Sequence, residues 1–121
     1  VYNHLDELVD AKLKKVKVQA SDVCDDATFV RRVYIDLTGL PPSADEVVAF
    51  VNDTRDQRTK REELIDKLVG SPAYVDHWAN KWGDLLMVNS KFLGGGGAAA
   101  ARKWIAERVA DNTPYDKFAY S

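Results

Sequence analysis

The chain has 121 residues, with 17 lysines and arginines against 19 aspartates and glutamates, 45% hydrophobic and 30% charged residues. This is the balance of a folded globular domain, and no apolar run approaches the roughly 18 residues that a membrane span needs. A formal charge of −2 gives no electrostatic reason to expect a nucleic-acid partner, and a single cysteine, Cys24, excludes an internal disulfide, a multi-cysteine zinc site and an iron–sulfur cluster.

Leu5, Leu8, Val9, Leu13 and Val16 recur at helical spacing behind a capping Asn3, which predicts a first helix over residues 3–17. Its acids lie early and its lysines late, as the helix dipole favours. Asp25 and Asp26 open a second helix with the stripe Phe29, Val30, Val33, Tyr34 and Leu37, closed by Gly39 and kept from resuming by Pro41 and Pro42. Ser43 and Glu46 form a capping box for a short third helix carrying Val47, Val48, Phe50 and Val51. Residues 52–59 read as a polar loop. Leu64, Ile65, Leu68 and Val69 then define a fourth helix ended by Gly70.

Ser71 and Pro72 start a fifth helix, with Tyr74, Val75, Trp78, Ala79, Trp82, Leu85 and Leu86 on one broad face. Residues 94–97, all glycine, break the pattern and read as a flexible joint; alanines 98–101 begin a sixth helix that carries Trp104, Ile105 and Val109. Thr113 and Pro114 have the form of one more helix start. No stretch alternates convincingly as a strand. The expectation is an all-α compact array of about six short-to-medium helices in orthogonal or antiparallel packing, gathered around the tryptophan-rich fifth.

Residues 29–42, with Arg31 and Arg32 followed by Asp36-Leu37-Thr38-Gly39-Leu40-Pro41-Pro42, resemble the arginine-pair signature of a family best known from planctomycetes, the cytochrome-c-associated domain of unknown function. Ser71-Pro72-Ala73-Tyr74 with Trp78-Ala79-Asn80-Lys81-Trp82-Gly83-Asp84 looks like its second signature, and Asn112-Thr113-Pro114-Tyr115-Asp116-Lys117-Phe118 like a third. The three occur in order over nearly the whole chain. His77 departs from the pattern, standing where arginine or another polar residue is common, and the simple stretch from Gly94 to Ala101 departs as well.

The resemblance implies an exported protein, periplasmic or at the cell surface, with a c-type-cytochrome-like domain elsewhere on the parent chain. It implies no known reaction. Residues 1–121 are accordingly read as a single helical domain and a segment of a larger polypeptide, cut short at its C-terminal end. The first residue is valine, and the single methionine is Met87. Neighbouring domains of the parent chain are the expected partners, a cytochrome domain among them.

Candidate chemistry is sparse. Asp36 with Arg31 or Arg32 could be a general base held by a guanidinium; the preferred reading has Asp36 securing the Thr38-Gly39 corner through backbone hydrogen bonds. His77, Lys81 and Asp84 share a stripe, and His77 could ligate a metal or shuttle protons with Asp84. A catalytic zinc needs three protein ligands and the chain holds two histidines, so a solvated or interface face is preferred and no metal is expected. Should that side be covered, Arg31 is the expected partner of Asp84.

Three further readings end in structural roles. The tryptophans could stack on carbohydrate, but their spacing is that of a core-facing helix. Asp22, Asp25 and Asp26 fail the EF-hand pattern and read as caps; the glycine run lacks the Gly-Lys-Ser/Thr ending of a phosphate loop. Without Cys-x-x-Cys-His the segment attaches no haem, and no cofactor is expected. The leading reading is a non-haem module with a structural or docking role. The alternative is an extracellular hydrolase acting on a polymer such as a polysaccharide, through Asp36 and Asp84 with Arg31, which requires the two carboxylates to face one cleft.

Overall fold

Residues 3–120 are described by the structure, a computed structural model; the readings that concern Val1 and Ser121 lie outside the described residues. In chain order the helices are α1 (His4–Lys15), α2 (Asp26–Thr38), α3 (Ala44–Val51), α4 (Gln57–Leu68), α5 (Pro72–Leu85), α6 (Ser90–Ala110) and α7 (Tyr115–Tyr120). Among the described residues there is no strand, so the all-α expectation holds. The array has one helix more than the six expected, because the start read at Thr113-Pro114 continues into α7.

Capping chemistry sets the boundaries. Oδ1 of Asn3 accepts from the amides of Leu5 and Asp6, Oδ1 of Asp25 from that of Thr28, and Oγ of Ser71 from that of Tyr74. Ser43 and Glu46 form the full reciprocal capping box. Gly39 closes α2 in the left-handed conformation at φ 72°, donating its amide to the Ile35 carbonyl. Residues 52–59 are not all loop: Asp56 caps α4 by accepting from Arg58 and Thr59, so the helix starts at Gln57.

The glycine run also departs from expectation. Only Gly94 leaves helical geometry, at φ 67° and ψ 166°, and residues 95–97 lie inside α6. The helix of the alanine run, anchored by the buried Ile105, extends back through three glycines, each of which costs about 1 kcal/mol relative to alanine.

The core lies in two places. Val30, Tyr34 and Leu68 form a buried cluster flanked by Phe29, Val33, Leu37, Val47, Phe50 and Leu64, which ties α2, α3 and α4 together. Ala79 of α5 and Ile105 of α6 are the other buried hydrophobics, where those two helices pack. Helix α5 also packs on α2 and so joins the two halves. The tryptophans are not at the centre of the core: Trp78, Trp82 and Trp104 are half-buried, and Leu85 and Leu86 are exposed. The residue that α5 buries fully is the small Ala79, and its larger rings lie towards the periphery.

Helix α1 buries none of its residues, and Leu5, Leu8 and Val9 remain exposed. The Asn3 cap and the acid-to-lysine order along its length stabilise it locally, and of its apolar stripe only Leu13 is half-buried. Among the described residues no helix is long and apolar enough to cross a membrane.

Sequence reading missed one polar element of the framework. Lys60, only 5% exposed, extends from α4 to the carboxylate of Asp26 at 2.7 Å and donates to the carbonyls of Asp53 at 2.8 Å and Phe50 at 3.3 Å. Arg61 binds the other oxygen of Asp26 at 2.8 Å and the Cys24 carbonyl at 2.8 Å. The bond from Lys60, then that from Arg61, holds the Asp26 carboxyl below its ordinary range. Asp26 was read as a capping acid; the cap is Asp25, and Asp26 instead clamps α2 to α4.

Candidate functional site

The four residues singled out for chemistry do not converge. Arg31, Arg32 and Asp36 are exposed on α2 and make no hydrogen bond or ion pair among the described residues. The corner after α2 is secured by Thr38 instead of Asp36: the buried Thr38 hydroxyl donates to the Tyr34 carbonyl at 2.8 Å and lies 3.4 Å from both the carbonyl and the amide of Leu40. A hydroxyl one residue before the glycine can follow the chain around the turn, whereas a carboxylate two residues earlier still projects along the helix surface.

Asp84 is exposed as well. It borders an open groove between α5 and α6, lined also by Asn80, Asn89, Ser90 and Arg102, in which Asp36 has no part. The Arg31–Asp84 pair is not formed; the bond that links α5 to α6 there is from Arg102 to Asn80. His77 is half-buried with its ring against the Gly39 backbone, at the contact between α5 and α2, and its Nε2 is buried with no partner. It makes no bond to Asp84. No cluster of three or more metal-ligating side chains occurs among the described residues.

A cavity of about 130 Å³ does bring two of the sequence signatures together. Tyr74, Trp78 and Trp82 come from α5, Arg108 and Val109 from α6, and Asn112, Thr113, Tyr115 and Phe118 from the turn and α7. The helix periodicity read from sequence puts the α5 aromatics on one face. The cap-and-proline start at Thr113-Pro114 brings α7 back over them. Trp82 packs on Phe118 with ring centroids 5.0 Å apart and on Tyr115 at 6.0 Å, and Trp104 meets Phe118 at 5.1 Å.

The polar groups of this cavity are unusual. Trp78 Nε1 and Arg108 Nε are both buried and have no hydrogen-bond partner, although most buried polar atoms in folded proteins find one. Arg108 forms no ion pair among the described residues; its charge lies 5.9 Å from the Trp104 ring. No acidic residue lines the cavity. Lys81 adds positive charge, 4.7 Å above the Trp78 ring. Arg108 was not singled out from sequence, where it is one cation among many; only the register of α6 against α5 turns it inward.

A family model described as "PSCyt2: Protein of unknown function (DUF1549)" matches residues 4–121. No curated protein and no solved structure is significantly similar to the chain.

Proposed function

The chain belongs to the PSCyt2 family of proteins of unknown function, and from that premise we propose that it is a non-haem docking module of a larger exported protein, periplasmic or at the cell surface, whose parent chain also carries a c-type-cytochrome-like domain. The family's planctomycete setting belongs to the same proposal. In this reading residues 1–121 form one helical domain that neighbouring domains pack against.

The observation that carries the reading is the aromatic edge built by α5, α6 and α7. Leu85, Met87, Phe92 and Tyr120, on or beside these helices, stand 72%, 73%, 73% and 93% exposed, large apolar side chains left for a neighbouring surface to cover. Asp36 does not line the groove that Asp84 borders, which favours docking over the two-carboxylate hydrolase reading.

Hydrogen exchange tests the reading. Amides of α5 and α7 are expected to exchange more slowly in the full-length protein than in this chain alone. Equal exchange in both would overturn docking at this edge.

A further inference from the structure

We infer that the cavity between α5, α6 and α7 is a carboxylate-binding site, and that it accepts an aspartate or glutamate side chain of the docked polypeptide. This inference rests on the docking reading above and assigns the chemistry of its contact point.

Trp78 Nε1 can only donate, and so can Arg108 Nε. Both are buried without an acceptor, and both residues line the same cavity. A neutral acceptor would satisfy the indole but leave the guanidinium without a counter-charge, because no acidic residue lines the cavity. An anion meets both requirements through charge-assisted hydrogen bonds, and a planar carboxylate has two oxygens to share between two donors.

Size then selects the carrier. At about 130 Å³ the cavity is slightly smaller than the roughly 150 Å³ that accommodates one benzene. A carboxylate on one or two methylenes fits a space of this size. The aromatic faces are also engaged with one another, Trp82 with Phe118 and Tyr115, rather than laid out as an open platform for a sugar. These facts favour an acidic side chain over a uronate.

The test is a tryptophan-fluorescence titration of this chain with three probes: a blocked glycyl-aspartyl-glycine peptide, its asparaginyl counterpart and glucuronate. The aspartyl peptide is expected to bind saturably and at least about tenfold more tightly than either other probe. Arg108→Gln should abolish the preference for acid over amide. Trp78→Phe keeps the ring and removes only the donor, and should weaken the aspartyl peptide about threefold to tenfold while leaving the asparaginyl one unchanged. Thermal unfolding of each variant distinguishes lost binding from lost fold, and the Phe variant serves as the test should Arg108→Gln not fold.

Equal binding of acid and amide, no saturable response to the aspartyl peptide, or an acid preference that survives both substitutions would overturn the assignment. Tighter binding of glucuronate would overturn the polypeptide carrier. Slowed exchange at α5 and α7 in the full-length protein without any acid preference would keep the docking reading and discard the carboxylate. Failure of both measurements would discard the two together.

Discussion

The imidazole of His77 occupies the space that a side chain at residue 39 would need: a Cβ built on Gly39 falls 2.7 Å from the His77 Cε1 and closer still to Nδ1. Gly39 is therefore held twice, by its left-handed φ of 72° and by the ring above it. Gly39→Ala is expected to destabilise the fold by about 2–4 kcal/mol, combining the left-handed penalty with overpacking. Adding His77→Ala should relieve the overpacking and leave about 1–2 kcal/mol of backbone cost. Urea unfolding of the two single variants and the double variant checks this.

The clamp of Asp26 on Lys60 predicts a large asymmetry. Asp26→Asn leaves a buried ammonium without its counter-charge and should cost about 3 kcal/mol or more. Arg55→Ala removes the cation paired with Asp53 and Glu63 at the exposed surface and should cost far less. Thermal unfolding at matched ionic strength separates the two.

Acidification acts through the same groups. The folded Asp26 carboxyl is more acidic than the unfolded one, because Lys60 and Arg61 bond its charged form; Glu46 is held low by the Tyr34 hydroxyl, 2.6 Å away, and by Ser43. The unfolded chain therefore takes up protons first on acidification. Stability should be fully present above the ordinary carboxylate values of 3.8 and 4.5 and should fall as pH drops through them towards the lower folded values. Tyr34 works at the opposite extreme. Burial and the Glu46 carboxylate push its phenol up to about 12, so its contribution is intact below its ordinary value of 10.0 and is lost as pH rises towards 12. Stability measured by denaturant across pH should thus fall at both ends.

The two kinds of glycine in α6 should respond in opposite directions. Gly96 lies within the helix with open space where a Cβ would stand, and Gly96→Ala should stabilise by about 0.5–1 kcal/mol. Gly94 has the same open space but a φ of 67°, so Gly94→Ala should destabilise by about 1–2 kcal/mol. Circular dichroism on heating reads both.

How far the sequence predicts this structure depends on the range of each interaction. Asn3, Asp25, Ser43 and Ser71 act as caps because capping is decided within three residues, and the corner at Gly39 follows from glycine before two prolines. The buried role of Lys60 was not legible, since it depends on α2 and the α3–α4 connection reaching the same point. Arg108 was missed for the same reason. The stripe on α5 was read correctly as a face, but whether it meets aliphatic cover or a cavity is decided by α6 and α7, not by its own periodicity. Asp36 and Asp84 carry chemistry only in the alternative reading; both are exposed, as the solvated face preferred for Asp84 expects.

The central claim is that the aromatic cavity, and not the exposed carboxylates, is the working part of this domain. Association of this chain with the remainder of its full-length protein, supplied as a separate polypeptide, tests it most directly. Arg108→Gln should weaken that association about tenfold, and the Asp36→Asn, Asp84→Asn double variant should leave it unchanged. Loss of association in the double variant with none in Arg108→Gln would contradict the account.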